Sequence, residues 1–317
     1  MNLLITGGAG FIGSHFLELE ILKLSSEIES ITVIDSLTYA SNLKNIEAFI
    51  GIKNFRFIER DICDTGEANS VFDRVDAIVH FAAESHVDKS ISNSAKFMRT
   101  NVLGTETLLR MAITFGIKKF IHISTDEVYG TIEDGSWDEN CALQPNSPYA
   151  ASKASSDLVV RAFHKTYGLH TNITRCTNNF GQRQHPEKLI PLIISNILAG
   201  KEIPLYGEGT NTRDWLSVKD HCKAIDLILF NGAYGETYNI GGGKELSNLA
   251  LVEFIISLMG ANRNLIKFVE DRKGHDFRYS LNFDKIATHL GYAPSFDFEA
   301  SLIESIGWYK SNADWWN

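Results

Sequence analysis

The chain has 317 residues, 44% of them hydrophobic and 22% charged, the composition of a soluble globular protein with one large domain or two moderate ones. A formal charge of −9 argues against a nucleic-acid surface, which needs clustered cations, but leaves room for a small anionic ligand held by one or two arginines. No apolar run approaches the roughly 18 residues of a membrane span, the start MNLLITGGAG lacks the basic region of a signal peptide, and the four scattered cysteines and ten histidines show no metal-ligand spacing. A cytoplasmic chain with free thiols, no membrane anchor and no metal is expected.

In chain order, NLLIT (2–6), SITVID (30–35), NFRFIE (54–59), DAIVHFA (76–82) and KFIHIS (119–124) are short, apolar and rich in β-branched or aromatic residues, so they read as buried strands. Helix-like stretches such as 94–115 separate several of them, and TNITRC (171–176) reads as a sixth strand. This alternation predicts an α/β fold, a Rossmann-like doubly wound parallel sheet with helices on both faces. Beyond residue 180 loop signals crowd together (GQRQHP, YGEGTN, NGAYGE, GGGK), which predicts a smaller mixed α/β lobe. The expected division is a dinucleotide-binding domain over 1–180 and a discontinuous substrate lobe over 181–317. A strand and helix in 213–232 return to the first domain.

The first strand runs into TGGAGFIG, where Gly7, Gly10 and Gly13 stand in GxxGxxG spacing. Glycine permits the tight turn and a close approach of backbone to a pyrophosphate, and the helix that follows aims its N-terminal N–H groups at that anion. A plain turn would also fit three glycines, but the strand before and the helix after point to a dinucleotide. The second strand ends in Asp35, whose carboxylate can accept both adenosine ribose hydroxyls and repels a 2′-phosphate, favouring NAD over NADP. Asp61 and Ile62, after the third strand, could flank the adenine.

Tyr149 and Lys153 are one helical turn apart. An ammonium beside a phenol favours the phenolate, so the tyrosine is expected to titrate below its usual value and to take a hydroxyl proton while hydride leaves the same carbon. A surface helix carries such a pair by chance, so the pair gains meaning from the glycine loop upstream. At the end of the fifth strand, STDEVYG (124–130) sets Asp126 beside Glu127: either a solvated turn or two carboxyl groups with separate tasks.

The motifs TGGAGFIGS, DSLTYASN, FAAESHVDKSI, STDEVYG, SPYAASKASSD, PEKLIP, RDWLSVKDH and DRKGHDFRYS run from residue 4 to about 280. With them the chain resembles the extended short-chain dehydrogenases/reductases that act on nucleotide sugars, and within these the dTDP-glucose 4,6-dehydratases, a lyase family of deoxysugar (for example rhamnose) biosynthesis. TDEVYG is the discriminating motif. The resemblance implies tightly bound NAD, regenerated each turnover, and an internal oxidation, dehydration and reduction of the sugar. It makes Tyr149 the base at the C4 hydroxyl with Lys153 beside it, Thr125 a partner of O4, Glu127 the base at C5 and Asp126 the acid at the C6 hydroxyl. It implies cofactor contacts from Gly7, Gly10, Phe11, Ile12 and Gly13; from Asp35, Ser36, Leu37 and Thr38; from Asp61 and Ile62; from Phe81, Ala82, Ala83 and Ser85; and from Thr100, Tyr149, Lys153 and Asn179. Substrate contacts are implied for Ser85, Thr125, Asn178, Lys188 and Leu189, for Pro204 and Tyr206 around a pyrimidine, for Arg213 and Arg272 at the diphosphate, and for Asn248 and His275. A homodimer through 94–115 and 149–167 is also implied.

The chain departs from the family at Phe180, Gly181, Gln182 and Arg183, where a tyrosine and GPY are usual, at Lys89, where arginine is usual, and in ending soon after WYKSNADWWN. These departures fall on the substrate side and leave dTDP or UDP open. A UDP-sugar 4-epimerase returns hydride to C4, and a UDP-glucuronate decarboxylase loses carbon dioxide; neither needs an acid at C6. The second carboxyl therefore favours dehydration. A dinucleotide sensor without catalysis would typically lack the tyrosine or the lysine.

Overall fold

The computed structural model describes residues 1–67 and 69–315. Seven strands form the main sheet: β1 (Asn2–Thr6), β2 (Ser30–Asp35), β3 (Phe55–Glu59), β4 (Ala77–His80), β5 (Lys119–Thr125), β6 (Thr171–Cys176) and, later in the chain, β10 (Thr237–Ile240). Their order is β10-β6-β5-β4-β1-β2-β3, and every ladder is parallel. The strand order reverses beside β1, where the crevice between outgoing connections opens at the carboxyl ends of the strands. The six strands expected from the sequence are all present, and the predicted doubly wound sheet is the fold observed.

Both faces of the sheet are covered, so β4 and β6 are buried along their whole length. One face packs Leu3, Ile5, Phe16, Val33, Ile225 and Tyr238; the other packs Leu4, Ile34, Ile78, Leu108, Phe120 and Val160. A third core, with Phe180, Ile193, Leu205, Trp215, Ile255 and Leu302, holds together β7 (Asn178–Phe180), β8 (Ile203–Tyr206), β9 (Thr212–Ser217), β11 (Glu245–Ser247) and β12 (Ile266–Val269) with their helices. These strands form a three-stranded sheet, β11-β9-β7, and a two-stranded one, β12-β8.

The segment 213–230 does contain a strand and a helix, but they part company. β9 joins the three-stranded sheet, whereas the Val218–Asn231 helix packs its Cys222, Ile225 and Ile228 into the core of the main sheet. The seventh strand of the main sheet, β10, is a short TYNI run that the sequence reading did not single out. The helix-like stretch 94–115 is also interrupted. A π-helical turn, Met98–Gly104, lies between the Ser94–Phe97 and Thr105–Thr114 helices. Within that turn, Asn101 exchanges hydrogen bonds with the backbone N–H and carbonyl of Glu84 at 2.9 and 3.0 Å, so the bulge is tied to the loop after β4.

Asp220, 1% exposed in the first turn of the Val218–Asn231 helix, fastens the chain beyond β12 to this core. Its carboxylate accepts the N–H groups of Ser295 and Phe296 at 3.0 Å each and the Ser295 hydroxyl at 2.7 Å. Asp220→Ala strands those donors and is expected to lower the unfolding free energy by about 2–4 kcal/mol. Asp220→Asn, which keeps one acceptor oxygen, should lose less. Urea denaturation of the two variants measures the difference.

Candidate active site

The carboxyl ends of β1, β2, β4, β5 and β6 meet around a cavity of about 340 Å³. At its floor Gly7 has φ +73°, and a Cβ there would lie 2.6 Å from the Ala82 nitrogen; a Cβ on Gly13 would lie 2.2 Å from the Gly7 carbonyl oxygen. Only glycine fits either place. The Phe11–Ile21 helix starts at Gly10 without a side-chain cap, which leaves its first N–H groups for a ligand anion. Asp35, 4% exposed, accepts the Ala9 N–H at 3.0 Å and the Leu37 N–H at 2.9 Å. Burial pushes its carboxyl above the usual range, and these hydrogen bonds oppose the rise. A dinucleotide fits this cradle: glycine floor, open helix terminus and a carboxylate on the cavity wall at the end of β2.

At the other end of the cavity Thr125 ends β5 and caps the turn Asp126–Tyr129. Its hydroxyl donates to Asp126 Oδ1 at 3.1 Å and accepts the Glu127 N–H at 3.3 Å. Asp126 is 3% exposed and its Oδ2 has no hydrogen-bond partner. Burial, reinforced by the neighbouring Glu127 charge, pushes the Asp126 carboxyl well above the usual range. Burial raises Glu127 too, but Arg272, Lys188 and Arg213 pull against it. The pair is therefore no solvated turn. It consists of a buried carboxyl with an unspent oxygen and a half-buried one under the influence of three cations.

Tyr149 and Lys153 lie on one face of the Pro148–Tyr167 helix, and both line the cavity. Lys153 Nζ donates to the Ile123 carbonyl at 2.7 Å, and burial lowers its value to about 8. The expectation that Tyr149 titrates low is overturned for the chain by itself. Burial and the charges of Glu127 and Asp126 push its phenol well above 10, and a hydrogen bond with Thr125 only partly opposes them. The spacing of Tyr149 and Lys153 carries no sign of the burial or of the two carboxyl groups in the turn after β5.

Of the residues expected at the site, Gly7, Gly10, Phe11, Ile12, Gly13, Asp35, Ser36, Thr38, Asp61, Ile62, Phe81, Ala82, Ala83, Ser85, Thr100, Asn178, Asn179 and Lys188 line this cavity with the catalytic candidates. Leu37 does not; it packs against the core of the main sheet. Leu189, Pro204, Tyr206, Arg213, Asn248, Arg272 and His275 are also absent from its wall. Arg213 gives its guanidinium to the carbonyls of Thr212, Asp276 and Phe277, yet with Arg272 it still faces Glu127. Arg272 Nε and Asn248 Oδ1 are buried without hydrogen-bond partners. Tyr206 meets His275 edge-on at 6.1 Å between ring centres.

The cavity also exposes residues the sequence did not announce. Arg99 pairs with Asp61 at 2.5 Å and Lys96 with the buried Glu84 at 2.7 Å, while Glu187 on the wall pairs at 2.8 Å with Lys89, one of the departures from the family, which is outside the wall. The three-residue spacing of Lys96 and Arg99 puts both on one helix face, which is the only sequence signal they carry. The departures at 180–183 point elsewhere. Phe180 is in the third core against Trp215 and Phe298, Gln182 bonds Glu304, and Arg183 bonds Glu18. Among the described residues no helix is long and apolar enough to cross a membrane, and no group of three or more His, Cys, Asp or Glu could hold a metal ion.

The family model for GDP-mannose 4,6 dehydratase matches residues 4–305. A dTDP-glucose 4,6-dehydratase of Streptomyces niveus is 50% identical over 100% of this chain and 95% of its own length. The crystal structure of DesIV, a dTDP-glucose 4,6-dehydratase from Streptomyces venezuelae with NAD and TYD bound, superposes with a TM-score of 0.98 at 51% identity, covering 100% of this chain and 99% of that one. A UDP-glucose 4-epimerase from Thermotoga maritima shares the fold, with a TM-score of 0.91 over 99% of this chain and 100% of its own, but only 28% of the sequence.

Gly13→Ala is expected to leave the purified chain without bound dinucleotide, measured by releasing and quantifying the nucleotide. Gly10→Ala, whose Cβ would stand 3.2 Å from the same carbonyl, should keep part of it.

Proposed function

The chain belongs to the GDP-mannose 4,6 dehydratase family, and from that premise we propose that it is an NAD-dependent hydro-lyase converting dTDP-glucose to dTDP-4-keto-6-deoxyglucose. The observation that carries the reading is the pair Asp126 and Glu127 on the cavity wall, one buried and one half-buried, set in unlike environments beside Tyr149. NAD, when bound, accepts hydride from C4 and returns it to C6. The glycine loop and Asp35 would hold it, with Asp61, Thr100 and Asn179 along its length.

The chain's own residues supply the proton movements. Tyr149 takes the C4 hydroxyl proton, with Thr125 holding that oxygen and the Lys153 ammonium supporting the phenolate. A ketone at C4 acidifies the C5 hydrogen, and Glu127 removes that proton. Its three facing cations favour the ionised form a base needs. Asp126, held protonated by burial, gives its proton to the departing C6 hydroxyl. Lys188 on the cavity wall and Arg272, whose buried Nε has no hydrogen-bond partner, are the cations offered to a diphosphate, with Arg213 adding its charge near Glu127, and Pro204 and Tyr206 on β8 are the candidates for the base. The position of Phe180, Gln182 and Arg183 away from the cavity wall supports an unaltered substrate.

The similar proteins DesIV and the Streptomyces niveus enzyme, both dTDP-glucose 4,6-dehydratases, favour dTDP over UDP, and the acid at C6 favours dehydration over epimerisation. We place the chain in the cytoplasm, a reading the four free thiols support. A homodimer through 94–115 and 149–167 is supported by the exposed Met98, Leu103 and Leu158 on those segments. The two-lobed division, with dinucleotide in the first lobe and sugar nucleotide against the second, is part of the same proposal.

In heavy water, dTDP-glucose should give a product that has lost one water and gained one deuterium at C5, faster than UDP-glucose does. Mass spectrometry reads both. Galactose at unchanged mass would sink the proposal. Asp126→Asn should lower water loss by roughly a hundred- to ten-thousandfold, while release of hydrogen from C4 persists. Because burial raises both carboxyl groups and Asp126 further, the Glu127 base is lost as pH falls and the Asp126 acid is lost as pH rises. A bell-shaped dependence of kcat on pH is the expected profile.

A further inference from the structure

Tyr149, Lys153 and Asp157 follow one another at four-residue intervals, so all three stand on one face of the Pro148–Tyr167 helix. The reaction as proposed uses the first two. Asp157 is 1% exposed, and an ionised carboxylate so deep needs compensation. Its Oδ2 accepts from Arg175 Nε on β6 at 2.9 Å, while Oδ1 has no hydrogen-bond partner and lies 3.5 Å from His122 Nε2. Arg175 passes a second bond, of 2.6 Å, to the Tyr129 hydroxyl.

His122 lies between Asp157 and Lys153, with Nε2 at 3.0 Å from Ser156 Oγ and 3.4 Å from Lys153 Nζ. Ser156 has one hydroxyl proton, and it goes to the Lys153 carbonyl at 2.8 Å. The serine oxygen must therefore accept from His122, which fixes the proton on Nε2. Nδ1, which has no partner, is then a lone pair, and the ring is neutral. An Nε2 that carries a proton accepts nothing from Lys153. The ammonium is left with the Ile123 carbonyl and with the charges around it.

Those charges come from four elements. The helix itself offers Tyr149 and Asp157; β5 offers the neutral His122; β4 offers His80, also neutral and bonded to Thr6 and Thr105; β6 offers Cys176 and Arg175. Asp126 and Glu127 act on Tyr149 rather than on the lysine. We propose that Asp157 is a positioning residue for this reaction: its buried carboxylate is the counter-charge that keeps Lys153 an ammonium ion beside Tyr149 and at the same time offsets Arg175 on the neighbouring strand. The inference rests on the reading of Tyr149 and Lys153 as the proton-transfer pair. Burial lowers Lys153 and the Asp157 charge is the largest opposing influence, which agrees with the geometry.

The test compares Asp157→Asn, Arg175→Met, the double variant and Lys153→Met, all with their dinucleotide. Titration of the Lys153 ε-carbon by NMR is one readout. The others are the single-turnover rate of hydrogen loss from C4, KM for dTDP-glucose and dinucleotide content. In Asp157→Asn the lysine should titrate at least about one unit lower, and hydrogen loss should slow about tenfold or more, with KM and dinucleotide content unchanged. Adding Arg175→Met removes the cation left unpaired on β6 and should keep fold and dinucleotide content at the wild-type level, while the lysine still titrates low and hydrogen loss stays slow. A wild-type Lys153 titration in Asp157→Asn would overturn the inference. So would loss of fold and dinucleotide that the double variant does not recover, which would make Asp157 a structural anchor only. Full turnover by Lys153→Met would overturn the reading of the site itself, and the inference with it.

Discussion

Two carboxyl groups on adjacent residues, one buried and one half-buried, cannot both be ionised cheaply. That repulsion organises the reactive end of the cavity. Asp126 has a hydroxyl on one oxygen and nothing on the other, whereas Glu127 looks toward Lys188, Arg213 and Arg272. The cations assign the negative charge to Glu127, and burial assigns the proton to Asp126. Burial, reinforced by the Glu127 charge, likewise pushes the Tyr149 phenol well above its usual value. An acid, a base and a latent base thus share one small volume, and their protonation states depend on one another.

The fold makes such crowding possible because each participant sits where a parallel strand ends or on a helix braced by one. Thr125, Asp126 and Glu127 follow β5; Asn178 and Asn179 follow β6; Ala82 and Ala83 follow β4; Asp35 closes β2. A parallel sheet buried on both faces holds these ends rigidly, and its core provides the low dielectric that separates the two carboxyl groups. Behind the helix, the polar chain of Tyr129, Arg175, Asp157, His122 and Ser156 crosses from β6 to β5 within the buried interior. It is the counterpart of the acid pair: one cation, Arg175, and one carboxylate, Asp157, balanced where the pair is unbalanced.

The six strands β1 to β6 were legible in the sequence because each is a compact apolar run. β10 was not, although Asn239 in it is fully buried. That asparagine is satisfied by the Tyr129 hydroxyl and the carbonyls of Trp137 and Asn282, and its own N–H by Glu139. The partners lie far away in sequence, so a local reading sees only a polar residue in a short run. The π-helical turn inside 94–115 is hidden for a similar reason, since Asn101 earns its place by clamping Glu84. The cofactor cradle was readable because glycine spacing and a terminal aspartate are local features. The direction of the Tyr149 shift was not, because it depends on what burial and β5 bring across from the other side of the cavity.

An epimerase shares this fold over nearly its whole length at 28% identity, so the sheet and the dinucleotide cradle by themselves do not choose the reaction. A hydride taken from C4 goes back to C4 unless C6 is made electrophilic first, and that requires the C6 hydroxyl to leave. Leaving requires a proton from a group that still holds one when the neighbouring base has none. On the proposed reading a single peptide step, from Asp126 to Glu127, spans both conditions. The depth of Asp126 and the cations around Glu127 would then keep the two residues from exchanging roles.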